Sequence, residues 1–168
     1  MRVAVTGTPG TGKTTATEHL RTDLEVVHLN DRIREEGLTA GRDRDRDTLV
    51  ADVDAVRDWL DGREDVLFES HIAHRFDADR VVVLRCHPER LAGRLRERGE
   101  PDATVRENAE SEALDLILSE AVGQHGGDAV YEIDTTDRSP APVARSIGSV
   151  LAGEREPSAG TVSFVEYL

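Results

Sequence analysis

Gly7-Thr8-Pro9-Gly10-Thr11-Gly12-Lys13-Thr14 spells G-x-x-x-x-G-K-T, the pattern of a phosphate-binding loop. The residues before it, Arg2-Val3-Ala4-Val5-Thr6, have the apolar, β-branched look of a short buried strand. After it, Thr14 to Arg21 suits a helix, with Ala16 and Leu20 spaced i, i+4 on one face. Strand, glycine loop and helix together are the setting such a loop requires. Glycines let backbone N–H groups close around phosphate oxygens, and the helix N-terminus adds the positive end of a dipole. Lys13 then reaches the β- and γ-phosphates, and the Thr14 hydroxyl ligates Mg²⁺. Gly10, Gly12, Lys13, Thr14 and Thr15 are the expected nucleotide-binding set, with ATP as substrate and Mg²⁺ as cofactor. A Gly/Thr-rich turn without function would not need the eight-residue pattern and both flanks to agree.

The chain has 168 residues, enough for one domain with a full core. No apolar run approaches membrane-spanning length, and the first residues read as a strand rather than a signal peptide. Cys86 is the only cysteine, which excludes a disulfide within the chain and a cysteine-cluster zinc site, and a cytoplasmic location is expected. Asp and Glu number 34 against 21 Lys and Arg, for a net charge of −13. All but one of the basic residues are Arg; the single lysine is Lys13. The rest of the pattern fits adaptation to molar salt, where the Debye length is about 3 Å and acidic self-repulsion is screened. Disorder is the competing explanation, but 38% apolar residues in strand and helix periods argue against it. The charge also argues against a broad basic face for nucleic acid.

Further along, Glu25 to Leu29 reads as a strand, with Asn30-Asp31 capping a short helix that Gly37 stops. Thr39 to Asp47 alternates charge without core residues and reads as a solvated loop. Asp47-Thr48 then opens a helix whose Leu49, Val53, Val56 and Leu60 form one apolar stripe. Val66-Leu67-Phe68 is a buried strand running into Glu69-Ser70-His71, and Arg80 to Arg85 is another. Pro88 starts a helix ending near Arg98-Gly99, and one long helix follows Pro101-Asp102 past Leu116 to Ala121. Ala129 to Asp134 is a fifth strand and Pro140 to Leu151 a closing helix. The expected fold is α/β, with a five-stranded parallel sheet flanked by helices. Gly153 to Ser163 has linker composition, and Phe164 to Leu168 either docks or frays.

In such folds ligands sit beyond the carboxyl ends of the strands. Glu69 closes an apolar strand, where a phosphate-loop protein places the acid that holds Mg²⁺ through water. His71 is two residues on and shares that face if the strand geometry continues; spacing alone leaves it evenly balanced between ligand and structural roles. Arg85, Arg90, Arg94, Arg96 and Arg98 cluster after the fourth strand, with Arg94 and Arg98 on one helix face. They suit phosphates, although Glu89, Glu97 and Glu100 are near enough to pair with them on a solvated face. Arg32 and Arg34, past the second strand, offer a second positive site. This disposition favours a kinase with two phosphorylated substrates over a GTPase switch, whose Asn-Lys-x-Asp signature needs a lysine this chain lacks.

The stretches Gly7 to Thr15, Arg32-Ile33-Arg34-Glu35-Glu36, Glu69-Ser70-His71 and Arg94-Leu95-Arg96-Glu97-Arg98-Gly99 resemble, in order and spacing, the adenylate kinase isoenzyme 6 family. That family is also called coilin-interacting nuclear ATPase, and its archaeal members are usually labelled putative adenylate kinases. The resemblance covers roughly residues 1 to 150 and implies a P-loop nucleoside monophosphate kinase that phosphorylates AMP with ATP, with ATPase activity. It also implies a role in maturing the small ribosomal subunit, with a small-subunit ribosomal protein and the pre-ribosomal particle as partners. By position it makes Lys13, Glu69, His71 and Arg98 catalytic, Arg98 an ATP contact, Arg34 the AMP contact, and Thr14 with Glu69 the Mg²⁺ holders. It divides the chain into one kinase domain, 1–153, with an AMP-binding segment at 30–58 and a short lid at 98–108, followed by a tail at 154–168. The family usually has Asp at position 69; Glu69 is one methylene longer. A ribosome-assembly ATPase with incidental kinase activity, and a small-molecule kinase acting on dephospho-coenzyme A or shikimate, are the alternatives.

Overall fold

The computed structural model describes residues 1–45 and 48–168. Five strands form one sheet: β1 (Arg2–Thr6), β2 (Glu25–His28), β5 (Val66–Glu69), β6 (Arg80–Arg85) and β7 (Val130–Asp134), in spatial order β2-β5-β1-β6-β7. Every pairing among them is parallel. Helices α1 (Lys13–Glu18), α2 (Leu29–Glu35), α3 (Val53–Leu60), α4 (Pro88–Glu97), α5 (Asp102–Ala113), α6 (Leu116–His125) and α7 (Pro140–Leu151) make the crossovers and cover both faces. The expected α/β fold is the observed one.

Strand alternation divides the core into two layers. Val3, Val5, Leu67, Val82 and Ile133 face Ala16 of α1 and Val143, Ile147 and Val150 of α7. Ala4, Phe68, Val81 and Val83 face the other way, against Ile33, Val56, Leu60 and Leu118. Because β1 is buried on both sides, its apolar run is continuous, and the loop that follows is fixed at the centre of the sheet's carboxyl edge.

Four local expectations are corrected. Residues 39–51 are not a loop running into a helix: Thr39–Asp43 is a strand, β3, paired antiparallel with Thr48–Ala51, β4. Leu49 and Val50 are exposed on this ribbon. The helix waits until Val53 because the Asp52 side chain caps it, accepting from Ala55 N at 3.1 Å. Arg46 and Asp47, expected in that loop and at the helix start, lie outside the described residues. Second, α2 begins at Leu29, and Asn30 does not cap it; its Oδ1 accepts from Ser70 Oγ at 2.7 Å. Third, the long helix is two, broken where Asp115 takes a left-handed conformation (φ 55°) between α5 and α6. Fourth, the stretch of linker composition is packed. Ser158 N donates to Val130 O at 3.0 Å and Glu132 N to Ser158 Oγ at 2.9 Å, so the tail covers the free edge of β7. Phe164 continues onto His87, ring centres 5.4 Å apart.

Candidate active site

The loop joins β1 to α1, and its glycines answer to specific constraints. A Cβ on Gly7 would stand 2.6 Å from Leu84 O, so only glycine lets the loop pass β6. Gly12 takes φ +92° at the N-terminus of α1. Lys13 is buried, and its Nζ donates to Gly7 O at 2.8 Å and Thr8 O at 3.2 Å. Burial pushes its pKa down to about 8; Glu69 opposes the shift and Arg98 adds to it. The ammonium therefore dominates below about pH 8 and is lost above it. If transfer needs that charge, kcat/KM for ATP falls with rising pH, with a midpoint near 8; a flat profile from pH 7 to 10 would remove Lys13 from the free-enzyme titration.

Glu69, the last residue of β5, is buried between β1 and β2. Its Oε1 accepts from Thr14 Oγ1 at 2.9 Å, so the longer side chain still reaches the loop hydroxyl. The same oxygen lies 2.9 Å from His28 Nδ1, because the parallel register sets His28 opposite Glu69.

A cavity of about 380 Å³ lies on the β6–β7 side of the loop. Gly10, Gly12 and Thr15 line it with Arg98 and Arg138, and Val143 contributes an apolar wall. Arg98 makes no side-chain hydrogen bond among the described residues, and its charge reaches Lys13. A second cavity, about 510 Å³, lies on the β2–β5 side, lined by Asn30, Arg34, Leu49, Val50, His71 and Arg75, among others. Arg34 is exposed and paired with Asp31 one turn away. His71 is exposed on the cavity wall; partial enclosure first, then the charges of Lys13, Arg75 and His74, lower its pKa to about 4. It is therefore neutral at pH 7.

Two of the clustered arginines are tied into the fold, Arg94 while also lining the first cavity. Arg94 donates to Gly10 O, Thr135 O and Thr136 O at 3.1 to 3.3 Å, tying the loop to the end of β7. Arg85 is 1% exposed and pairs with three acids, Glu112, Glu132 and Asp115, at 2.5 to 2.9 Å. Neither sits on a solvated face.

The AAA domain family matches residues 3–115 of the chain. A protein named "Putative adenylate kinase" from Natronomonas pharaonis is 66% identical over the full length of both chains. The chain belongs to that adenylate kinase-like family. Another member of the same name, from Halobacterium salinarum, is 65% identical, again over both full lengths. One from Methanothermobacter thermautotrophicus is 44% identical over 99% of this chain and 98% of its own. Among solved structures, shikimate kinase from Acinetobacter baumannii superposes with a TM-score of 0.61 at 18% identity, covering 92% of this chain and 94% of that one. Deoxyadenosine kinase from M. mycoides gives 0.58 at 14% identity, covering 90% and 100%. At such identities these two establish the fold alone.

Sequence reasoning missed four residues around the candidate site. His28 lies in a strand, and only the parallel register places it on Glu69. Arg75 belongs to a 3-10 turn, Ala73–Arg75, that no apolar period announces. Arg138 follows β7 and is held by Pro142 O and Ser146 Oγ at 2.9 and 2.8 Å. His74 is buried with Nδ1 2.8 Å from Thr6 Oγ1 and Nε2 2.8 Å from Glu120, bracing the segment that carries His71.

Proposed function

We propose that the chain transfers the γ-phosphate of ATP to AMP, giving two ADP. The observation that carries this reading is a pair of cavities on opposite sides of Lys13 and Glu69, each with its own arginines. ATP occupies the cavity of Gly10, Gly12, Thr15 and Arg98, its phosphates reaching Lys13. AMP occupies the cavity of Arg34, His71 and Arg75, its phosphate meeting arginine and its base the apolar side chains of the β3–β4 ribbon. Phosphoryl transfer asks mostly for positioning and charge neutralisation, which buried Lys13 and the two arginine groups provide.

Thr14 and Glu69 form an oxygen-only donor pair that suits Mg²⁺ and not a softer metal. When bound, Mg²⁺ would neutralise phosphate charge; Thr14 and Glu69 would hold it, and His28 would keep the Glu69 carboxylate in place. Neutral His71 would offer the acceptor phosphate a hydrogen bond without a competing charge.

The test is ATP consumption with and without AMP in molar KCl, beside shikimate and other hydroxyl acceptors. Acceleration by AMP alone supports the reading; acceleration by another acceptor replaces it. ATP loss without any acceptor would mark the ATPase activity that the resemblance implies, and co-purification with small-subunit particles the ribosomal role. Arg34→Ala is expected to raise KM for AMP about ten- to a hundredfold, the worth of a charged hydrogen bond, with KM for ATP nearly unchanged. Arg98→Ala should do the reverse. A shift in the wrong substrate's KM would exchange the two cavities.

The acidic excess adds a condition. With a net charge of −13 the folded chain repels itself in dilute buffer, and screening removes that cost. The melting temperature should rise steadily from dilute buffer to molar KCl; a falling series would contradict adaptation to salt.

A further inference from the structure

Glu112 sits in an unexpected place for a site that binds polyphosphate. It is a buried carboxylate at the end of α5, 3% exposed, with an oxygen on the phosphate loop itself. Its Oε2 accepts from Thr8 Oγ1 at 2.6 Å. Its Oε1 accepts from Arg85 Nε at 2.9 Å and from Cys86 N at 3.0 Å. Without Arg85 such a charge would disfavour both the fold and a polyanion. With Arg85 it becomes an anchored acceptor, and the anchor has further supports. Arg85 Nη1 donates to Glu132 Oε1 at 2.6 Å, and the other oxygen of Glu132 accepts from Thr161 N at 2.7 Å in the C-terminal tail. The chain of contacts thus runs from the tail through Glu132, Arg85 and Glu112 to Thr8. At its far end, Thr8 O accepts from Lys13 Nζ and from Thr11 Oγ1.

We propose that Glu112 is a positioning residue for phosphate transfer: by holding the Thr8 hydroxyl it fixes the loop that presents Lys13, and the docked tail keeps Glu112 itself in register through Glu132 and Arg85. This rests on the phosphate-transfer reading above. Two further facts fit it. Thr8 is 2% exposed, so its hydroxyl is committed to Glu112 and is not a surface group. The negative charge of Glu112 also helps keep the Lys13 ammonium protonated against its burial.

The experiment compares Thr8→Val, Thr8→Ser, Glu112→Gln and the Thr8→Val/Glu112→Gln double variant with the full-length protein. Each is measured for kcat, both KM values, melting temperature, and calorimetric affinity for a non-hydrolysable ATP analogue with Mg²⁺. Thr8→Val is expected to lower kcat about tenfold or more, the worth of a hydrogen bond to a charged group, with KM for AMP held within about twofold. Thr8→Ser should restore kcat, and the double variant should lose no more than the worse single, because the two residues act as one contact. Should Thr8→Val fail to fold, Glu112→Gln, which keeps the shape and removes the charge, reads the same split of kcat from KM. Full kcat per folded molecule with a lowered melting temperature, or additive losses, would overturn the proposal and leave Glu112 purely structural. If the unmodified protein shows no AMP-dependent transfer, the kinase reading fails on its own account. The analogue's affinity, expected to weaken about tenfold in Thr8→Val, then still decides whether Glu112 sets the loop.

Discussion

Lys13→Ala is expected to abolish measurable turnover while leaving the fold intact. The ammonium is the one lysine charge in the chain, and it is held beneath the loop by Gly7 O and Thr8 O. No second lysine can take its place, and the arginine nearest in effect, Arg98, lies at the end of α4 on the wall of the cavity beside the loop. Removing a fixed charge that stabilises a transferring phosphoryl group costs on the order of a hundred- to a thousandfold in kcat. The stability forecast has the opposite sign. Burial lowers the Lys13 pKa from 10.5 to about 8, so below pH 8 the fold holds an ammonium that the unfolded chain would solvate better. Lys13→Met should therefore melt no lower than the unmodified protein at pH 7. A variant keeping more than a tenth of the activity would sink the assignment, and a large drop in melting temperature would show that the lysine supports the fold.

Arg85→Ala should do the reverse, with its first and largest effect on the stability of the fold. Its guanidinium is surrounded by Glu112, Glu132 and Asp115, the first two almost wholly buried. Deleting it leaves buried carboxylates without a counter-charge, and breaking a buried pair from one side costs about 3–5 kcal/mol. That is a large share of a stability of about 5–15 kcal/mol, and for a chain of this length it lowers the melting temperature by roughly 6–20 °C. Arg85→Lys should recover only part of the loss, since a compact ammonium cannot reach all three acids from the spread positions that Nε, Nη1 and Nη2 occupy. Differential scanning calorimetry of the two variants at fixed salt checks both statements; equal melting temperatures for Ala and the native residue would mean that the network contributes nothing net.

The sheet was legible because each strand carries short apolar sequence and the loop motif marks the end of the first. What escaped was whatever depends on partners distant in sequence. Thr39 to Ala51 forms a two-stranded ribbon whose β3 carries no apolar residue but Ala40, so its charges imitate a loop. Asp115 breaks a helix that Leu116, Ile117 and Ala121 would otherwise extend, and it does so while accepting from Arg85, which lies 30 positions earlier. Arg85 resembled the surface arginines beside it; only the meeting of β6, β7 and α5 reveals three acids around it. The tail has linker composition, yet its backbone N–H groups find Glu132, and composition carries no signal for that. In the site, Lys13, Thr14 and Glu69 were legible from one motif and one strand end. His28, Arg75 and Arg138 were not, since each enters through register or a turn.

The lowered pKa of Lys13 also makes this chain an unusual target for covalent chemistry. An amine attacks acylating and aldehyde reagents only when deprotonated, and near pH 8 about half of the Lys13 population is in that form. The α-amino group of Met1 is bound to Asp65, which raises its pKa and withholds its lone pair. Reagents small enough to enter the phosphate cradle therefore meet a single preferred nucleophile, and a ligand filling the cradle shields it. The scarcity of lysine turns the loop into its own reporter of occupancy, in a protein whose other basic side chains are all guanidinium or imidazole.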